Sequence, residues 1–224
     1  MPNVFATFER TELIAFLSTN GPTNRDALAK AFNVLKGPIA WRLQAAQRSG
    51  LTQRTTSARP YRTYNRINPK HPAYREIVAL GKKLADLFTL PSASEGSKGR
   101  RFTWAATPRT YDILNVLTVG RTLPTRGEVL LFLAAVGEAV PISRLSGALS
   151  RARFSVLTAV NALESYRIVI SVRDKYRRLI QLNEDWEAYP EMLRLLRRLN
   201  KLDGTYAELA AAYRDAGGKV VYYW

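Results

Sequence analysis

Residues 39 to 51 read IAWRLQAAQRSGL. Ile39, Leu43 and Ala46 have the spacing of a helix face that packs inward, and Gly50 ends the run. With Ile39 at the centre of that face, Trp41, Gln44, Ala45 and Arg48 fall on the outer half. Lys36 precedes them, and Arg42 is grouped with them. A glutamine side chain can bond the edge of adenine, and lysine or arginine the edge of guanine. The next residues, LTQRTT and YRTYNRI flanking SARP, carry Arg54, Arg59, Arg62 and Arg66. Cations at a hairpin tip suit phosphates, and without an anion they repel one another. The plainer reading of Gln44, Arg48 and their neighbours is a solvated helix face.

Other chemistry finds little support. The single histidine, His71, leaves no His-His metal pair, and the absence of cysteine removes disulfides and thiolate chemistry. GSKG at 96 to 99 and GKK at 81 to 83 lack phosphate-loop spacing. Glu184, Asp185 and Glu187 bunch where a helix is expected to begin, and the helix dipole accounts for them. His71 reads as structural or as a phosphate contact. No enzyme activity, cofactor or metal is expected.

The totals point to an anionic partner. The 224 residues carry a formal charge of +16 with 46% hydrophobic content. Such a chain can bury real cores, and its excess charge fits nucleic acid or an acidic membrane face. MPNVFATFERTEL has no signal-peptide layout, and the longest apolar run, VLLFLAAV, is too short for a span of ~20 residues. A cytoplasmic, nucleoid-associated protein is expected.

The elements that must position these residues occur twice. Shifted by 117 positions, residues 11 to 51 lie over 128 to 168 without a gap. Leu13 meets Leu130, Phe16 Leu133, Leu28 Leu145, Ala31 Ala148, Ile39 Val156, Leu43 Val160, and Leu51 Ile168. The match resumes at an offset of 115, YNRIN over LIQLN and PAYREIVALGKKL over EAYPEMLRLLRRL. A two-residue difference sits most cheaply at a hairpin tip. Each copy thus predicts helices near 8–19, 24–32 and the opening stretch (125–136, 143–149 and 153–165 in copy two), then a hairpin. A closing helix follows at 72–89 and 187–200.

PSASEGSKGRR at 91 to 101 has linker chemistry. Further helices are predicted at 108–117 and 205–218, and KVVYYW as a terminal strand.

Copy two turns out Thr158, Asn161, Ala162 and Ser165, with Ser155 one turn earlier, and no charge among them. Its cations lie before that helix, at Arg151 and Arg153, and on the hairpin, at Arg173, Lys175, Arg177 and Arg178. Residues 1 to 90 hold 14 Lys/Arg against 5 Asp/Glu, and residues 104 to 224 hold 17 against 12. The second copy is therefore expected to read bases differently or more weakly. Trp41 falls opposite Thr158, so it belongs to what distinguishes copy one. It is expected to press on a thymine methyl or sugar, or to pack on the neighbouring domain.

Three helices followed by a basic two-stranded hairpin resemble a winged helix-turn-helix. IAWRLQAAQRSGLTQR is similar to the third helix and first wing strand of MarR- and ArsR-like regulators, Gly50-Leu51 matching their Gly-Leu pair. Copy two departs there, with Arg167-Ile168. The resemblance implies a mainly α fold with small β-hairpin wings (α+β), two tandem winged-helix domains from an internal duplication. The expected layout is domain 1 at 1–90, a flexible linker at 91–103, domain 2 at 104–203 with an extra N-terminal helix, and a C-terminal helix and strand extension at 204–224.

The implied function is sequence-specific binding of double-stranded DNA by a transcriptional regulator acting as a covalent pseudo-dimer. A plasmid or phage replication initiator at repeated origin sites is the alternative. A protein-interaction scaffold is another, and a homodimer through the C-terminal extension is left open.

Overall fold

The computed structural model describes residues 5–32, 35–57, 61–88, 125–174 and 177–217, with the backbone alone at 5–12, 88 and 174. The chain divides after residue 118 into two compact units. The expected linker, the helix at 108–117 and the strand at 219–224 lie outside the described residues.

In the first unit the order is α1 (Phe5–Asn20), β1 (Thr23–Asn24), α2 (Arg25–Ala31), α3 (Lys36–Arg48), β2 (Thr52–Thr56), β3 (Thr63–Ile67) and α4 (Tyr74–Phe88). In the second it is α5 (Thr125–Val136), β4 (Val140–Pro141), α6 (Ile142–Ala148), α7 (Arg153–Ser165), β5 (Val169–Asp174), β6 (Arg177–Leu182), α8 (Tyr189–Asp203) and α9 (Thr205–Asp215). The fold is mixed α+β. Both units have the same element order as far as α8, and each holds a small antiparallel sheet, ordered β1-β3-β2 and β4-β6-β5.

The expected two-stranded hairpin is present in each unit, and a short third strand adds to it. Residues entering a helix at its N-cap are extended. Asn24 has φ −80° and ψ 161°, and its side chain accepts from the Ala27 amide at 2.8 Å. Its extended backbone then pairs with Tyr64, as Pro141 pairs with Leu179 in the second unit. That strand ties the start of the second helix to the hairpin.

The matched apolar positions form the cores. Leu13, Phe16, Leu28, Ile39, Leu43 and Leu51 are buried, as are Leu130, Leu133, Leu145, Val156, Val160 and Ile168. Ala31 and Ala148 are only half-buried, and the following Phe32 and Leu149 fill the core instead. Burying a side chain of this size contributes roughly 1.5–3 kcal/mol each, so these positions dominate fold choice. The Phe16 and Phe32 rings meet at 5.3 Å. α1 packs along α4, closest at Gly81, where an added Cβ would lie 2.8 Å from Ser18 Cβ.

α5 is buried on nearly all sides because α7, α8 and α9 surround it. The helix set apart as an extension is thus part of the second core. Tyr206, Ala210 and Tyr213 of α9 are buried, Tyr213 meets Phe132 edge-on at 5.8 Å, and Arg214 reaches the Ala135 carbonyl at 3.3 Å. Gly204, at φ 78°, makes the corner between α8 and α9.

Candidate nucleic-acid interface

α3 ends as its glycine requires. Gly50 has φ 72°, a backbone conformation that costs other residues roughly 1–2 kcal/mol. Its amide bonds the Gln47 carbonyl at 2.9 Å, and Leu51 N–H returns to the Ala46 carbonyl at 3.0 Å. α7 ends identically without glycine. Arg167 adopts φ 58°, and Ile168 N–H returns to Leu163 at 3.0 Å. Both helices therefore enter their hairpins at one geometry.

The first unit opens a groove of about 940 Å³ between α2, α3 and the hairpin. Trp41 and Gln44 line it from α3, and Arg54 and Arg62 from the hairpin. Trp41 is 50% exposed. Strand alternation explains the hairpin's share. Arg54 is paired with Asn65, so both face the groove, while Arg66 falls on the opposite face of β3, beside Pro22 and Lys82. Asn65 is buried and accepts from the Gln47 amide at 3.1 Å, which fixes the strand against α3. The hairpin narrows where Arg62 N–H meets Ser57 Oγ at 3.2 Å.

Two further cations line the groove from α2, Arg25 and Lys30. Sequence reasoning missed them because it looked only at the third helix and the hairpin. Lys36 is exposed but pairs with the groove's one carboxylate, Asp26, at 3.1 Å. Both partners are largely in water, where such a pair is worth ~0–1 kcal/mol, so a stronger anion can displace it. Arg48 is exposed on α3 outside the groove lining.

Arg42 is a correction. The sequence places it among the outward contacts, yet it is only 7% exposed. Its position lies closer to the inward stripe of Ile39, Leu43 and Ala46 than to Trp41 and Gln44, and the packing covers it. Arg59 lies outside the described residues, as does Lys175.

The second unit has a smaller groove of about 500 Å³ at the corresponding place, lined by Arg144, Arg153, Leu157, Arg177 and Arg178 among others. Ser155, Thr158 and Asn161 are exposed on α7, and Arg173 is exposed on β5. Two expected contacts are committed elsewhere. Arg151 makes a two-pronged bond to Glu128, at 2.9 and 2.7 Å, and Glu128 is buried. A buried carboxylate needs such a partner. Donating to Glu128 raises the pKa of the Arg151 guanidinium above its ordinary value. Arg178 donates to Ser171 Oγ at 2.7 Å, to Asn161 Oδ1 at 3.1 Å, and to Glu164. Glu164 thus neutralises one of the groove's cations.

His71 sits in the turn before α4, where its Nδ1 accepts from the Ala73 amide at 3.1 Å. Burial lowers its pKa, so the neutral ring is favoured. Among the described residues, no three His, Asp or Glu side chains gather as a metal site requires. Nor is any helix among them long and apolar enough to cross a membrane. No protein-family model, curated protein or solved structure matches the chain.

Proposed function

We propose that this chain binds double-stranded DNA sequence-specifically as a transcriptional regulator, through two tandem winged-helix units that arose by duplication and act as a covalent pseudo-dimer. The carrying observation is the first unit's groove, where Trp41 and Gln44 of α3 face Arg54 and Arg62 of the hairpin, with Arg25 and Lys30 beside them. A helix of this size fits the major groove with such side chains at base edges, and the hairpin cations lie where phosphates would flank it. The net charge of +16 supplies the long-range attraction.

The second unit contributes differently. Its cations are partly neutralised by Glu128 and Glu164. It adds affinity chiefly by being tethered, because a linked second module binds at high effective concentration. The bound site is accordingly asymmetric, with the first unit reading more of it.

The test is binding of the full chain to a random-sequence duplex pool across about 50 to 300 mM salt, followed by sequencing of the bound fraction. Affinity should fall steeply with salt, since each neutralised phosphate releases counterions. Gln44→Ala should relax the selected sequence with little change in nonspecific affinity. Arg54→Ala with Arg62→Ala should weaken binding to all sequences and flatten the salt slope by about 2. Salt-independent binding, or a selected pool no different from the input, overturns the proposal.

A further inference from the structure

The outward face of α7 departs from that of α3 at one residue in particular. Phe154, the second residue of α7, stands where the first unit has Gly37, and it is 79% exposed. Thr158 lies one turn further on the same face and is exposed as well. Leu157 lines the adjoining groove. Further along the face Asn161, although exposed, is held by Arg178, which is bound in turn to Glu164. At the start of the helix Phe154 stands open to solvent between the exposed Arg153 and Ser155.

Its surroundings select the partner. Arg144, Arg153 and Arg177 line the groove that Leu157 borders, so the apolar spot has a positive rim on that side. A hydrophobic protein partner gains nothing from such a rim, whereas a polyanion carrying an apolar feature is complementary to it. Duplex DNA has one such feature in the major groove, the C5 methyl of thymine, and Phe and the Thr methyl are side chains that contact it. We propose that Phe154, supported by Thr158, reads thymine methyl groups, while Arg144, Arg153 and Arg177 hold the flanking phosphates. This inference rests on the DNA-binding reading above. It gives the tethered second unit a base preference of its own.

The experiment compares 30-base-pair duplexes of alternating d(A-T) and d(A-U), which differ only in the methyl groups. Burial of one methyl is worth ~0.8 kcal/mol, and tenfold in affinity corresponds to ~1.4 kcal/mol. The full chain should therefore bind the thymine duplex about fourfold more tightly per methyl contacted. Phe154→Ala should reduce that preference, and Phe154→Leu, which keeps apolar bulk, should retain part of it. Because the ring is so exposed, neither substitution should shift the thermal melt by more than a degree or two, and circular dichroism checks this. A preference that Phe154→Ala leaves unchanged overturns the inference while leaving DNA binding intact, and so does equal binding of the two duplexes by the unaltered chain. Binding of neither duplex at about 50 mM salt overturns the DNA-binding reading and this inference with it.

Discussion

The side-chain amide of Asn68 donates to the backbone carbonyl of Gly50 at 2.9 Å. Asn183 does the same to Arg167 at 2.7 Å. In both units the residue just past the second hairpin strand thus holds the left-handed residue just past the third helix. The backbone adds a parallel bond, Asn68 N–H to Leu51 and Asn183 N–H to Ile168. Together these bonds fix the angle between the third helix and the hairpin in each unit.

Since Arg167 occupies a conformation made for glycine, Arg167→Gly should stabilise the second unit. The relief of left-handed strand-side strain, less glycine's extra chain entropy, leaves about 0.5–1 kcal/mol. That corresponds to a few degrees in melting temperature for a unit of this size. Gly50→Ala should lower the first unit's melting temperature by a similar amount. Scanning calorimetry on the full chain reads both, and equal melts for all three proteins would refute the argument.

Glu128 and Arg151 carry a second prediction. Removing Arg151 leaves a carboxylate buried without its two bonds. The cost is about 2 kcal/mol, less than the 3–5 of a fully enclosed pair, because Arg151 is partly in water. Glu128→Gln with Arg151 retained should cost less, since no buried charge is stranded. Urea unfolding of Arg151→Ala and of Glu128→Gln would rank them, and the reverse order would contradict this account.

At Gly81 the usual helix rule should invert. Alanine normally stabilises a helix interior relative to glycine by ~1 kcal/mol. Here the new methyl would collide with Ser18 Oγ and lie 2.8 Å from its Cβ. Gly81→Ala should instead destabilise by roughly 1–3 kcal/mol through overpacking of α1 against α4. Adding Ser18→Gly should recover most of the loss, a coupling that a double-mutant cycle measures.

His71 predicts a pH dependence. Burial holds its folded pKa below the ordinary value of 6.5. The unfolded chain then binds more protons as pH falls through that value, so stability declines on the acid side and is fully present above it. His71→Asn, which keeps an acceptor for the Ala73 amide but does not titrate, should flatten the first unit's melting temperature between about pH 5 and pH 7. An unchanged pH slope in that variant would rule His71 out as its source.

Much of the fold was legible in the chain because burial leaves a periodic trace. Ile39, Leu43 and Leu51 and their counterparts Val156, Val160 and Ile168 announce their inward faces by local spacing alone, and all are buried. The outward set of Trp41 and Gln44 follows from the same periodicity, and the alternation along β3 separates Asn65 from Arg66. The order of the helices and hairpin strands, and the helix end at Gly50, needed nothing beyond neighbouring residues, whereas β1 and β4 exist only through pairing with β3 and β6.

What only the tertiary structure decided is which charges are spoken for. Arg151 finds Glu128 across 23 residues, and Arg178 finds Glu164 across 14, so their composition as cations said nothing of their partners. Arg42 looked available by type and is covered by packing. Arg25 and Lys30 looked incidental and line the groove, because β1 docks the start of α2 beside the hairpin. α9 looked separable, yet Tyr206 and Tyr213 bury it against α5. Periodicity reports which face of an element is buried, but the partners of a charge are set by contacts distant in sequence, and those exist only once the chain has folded.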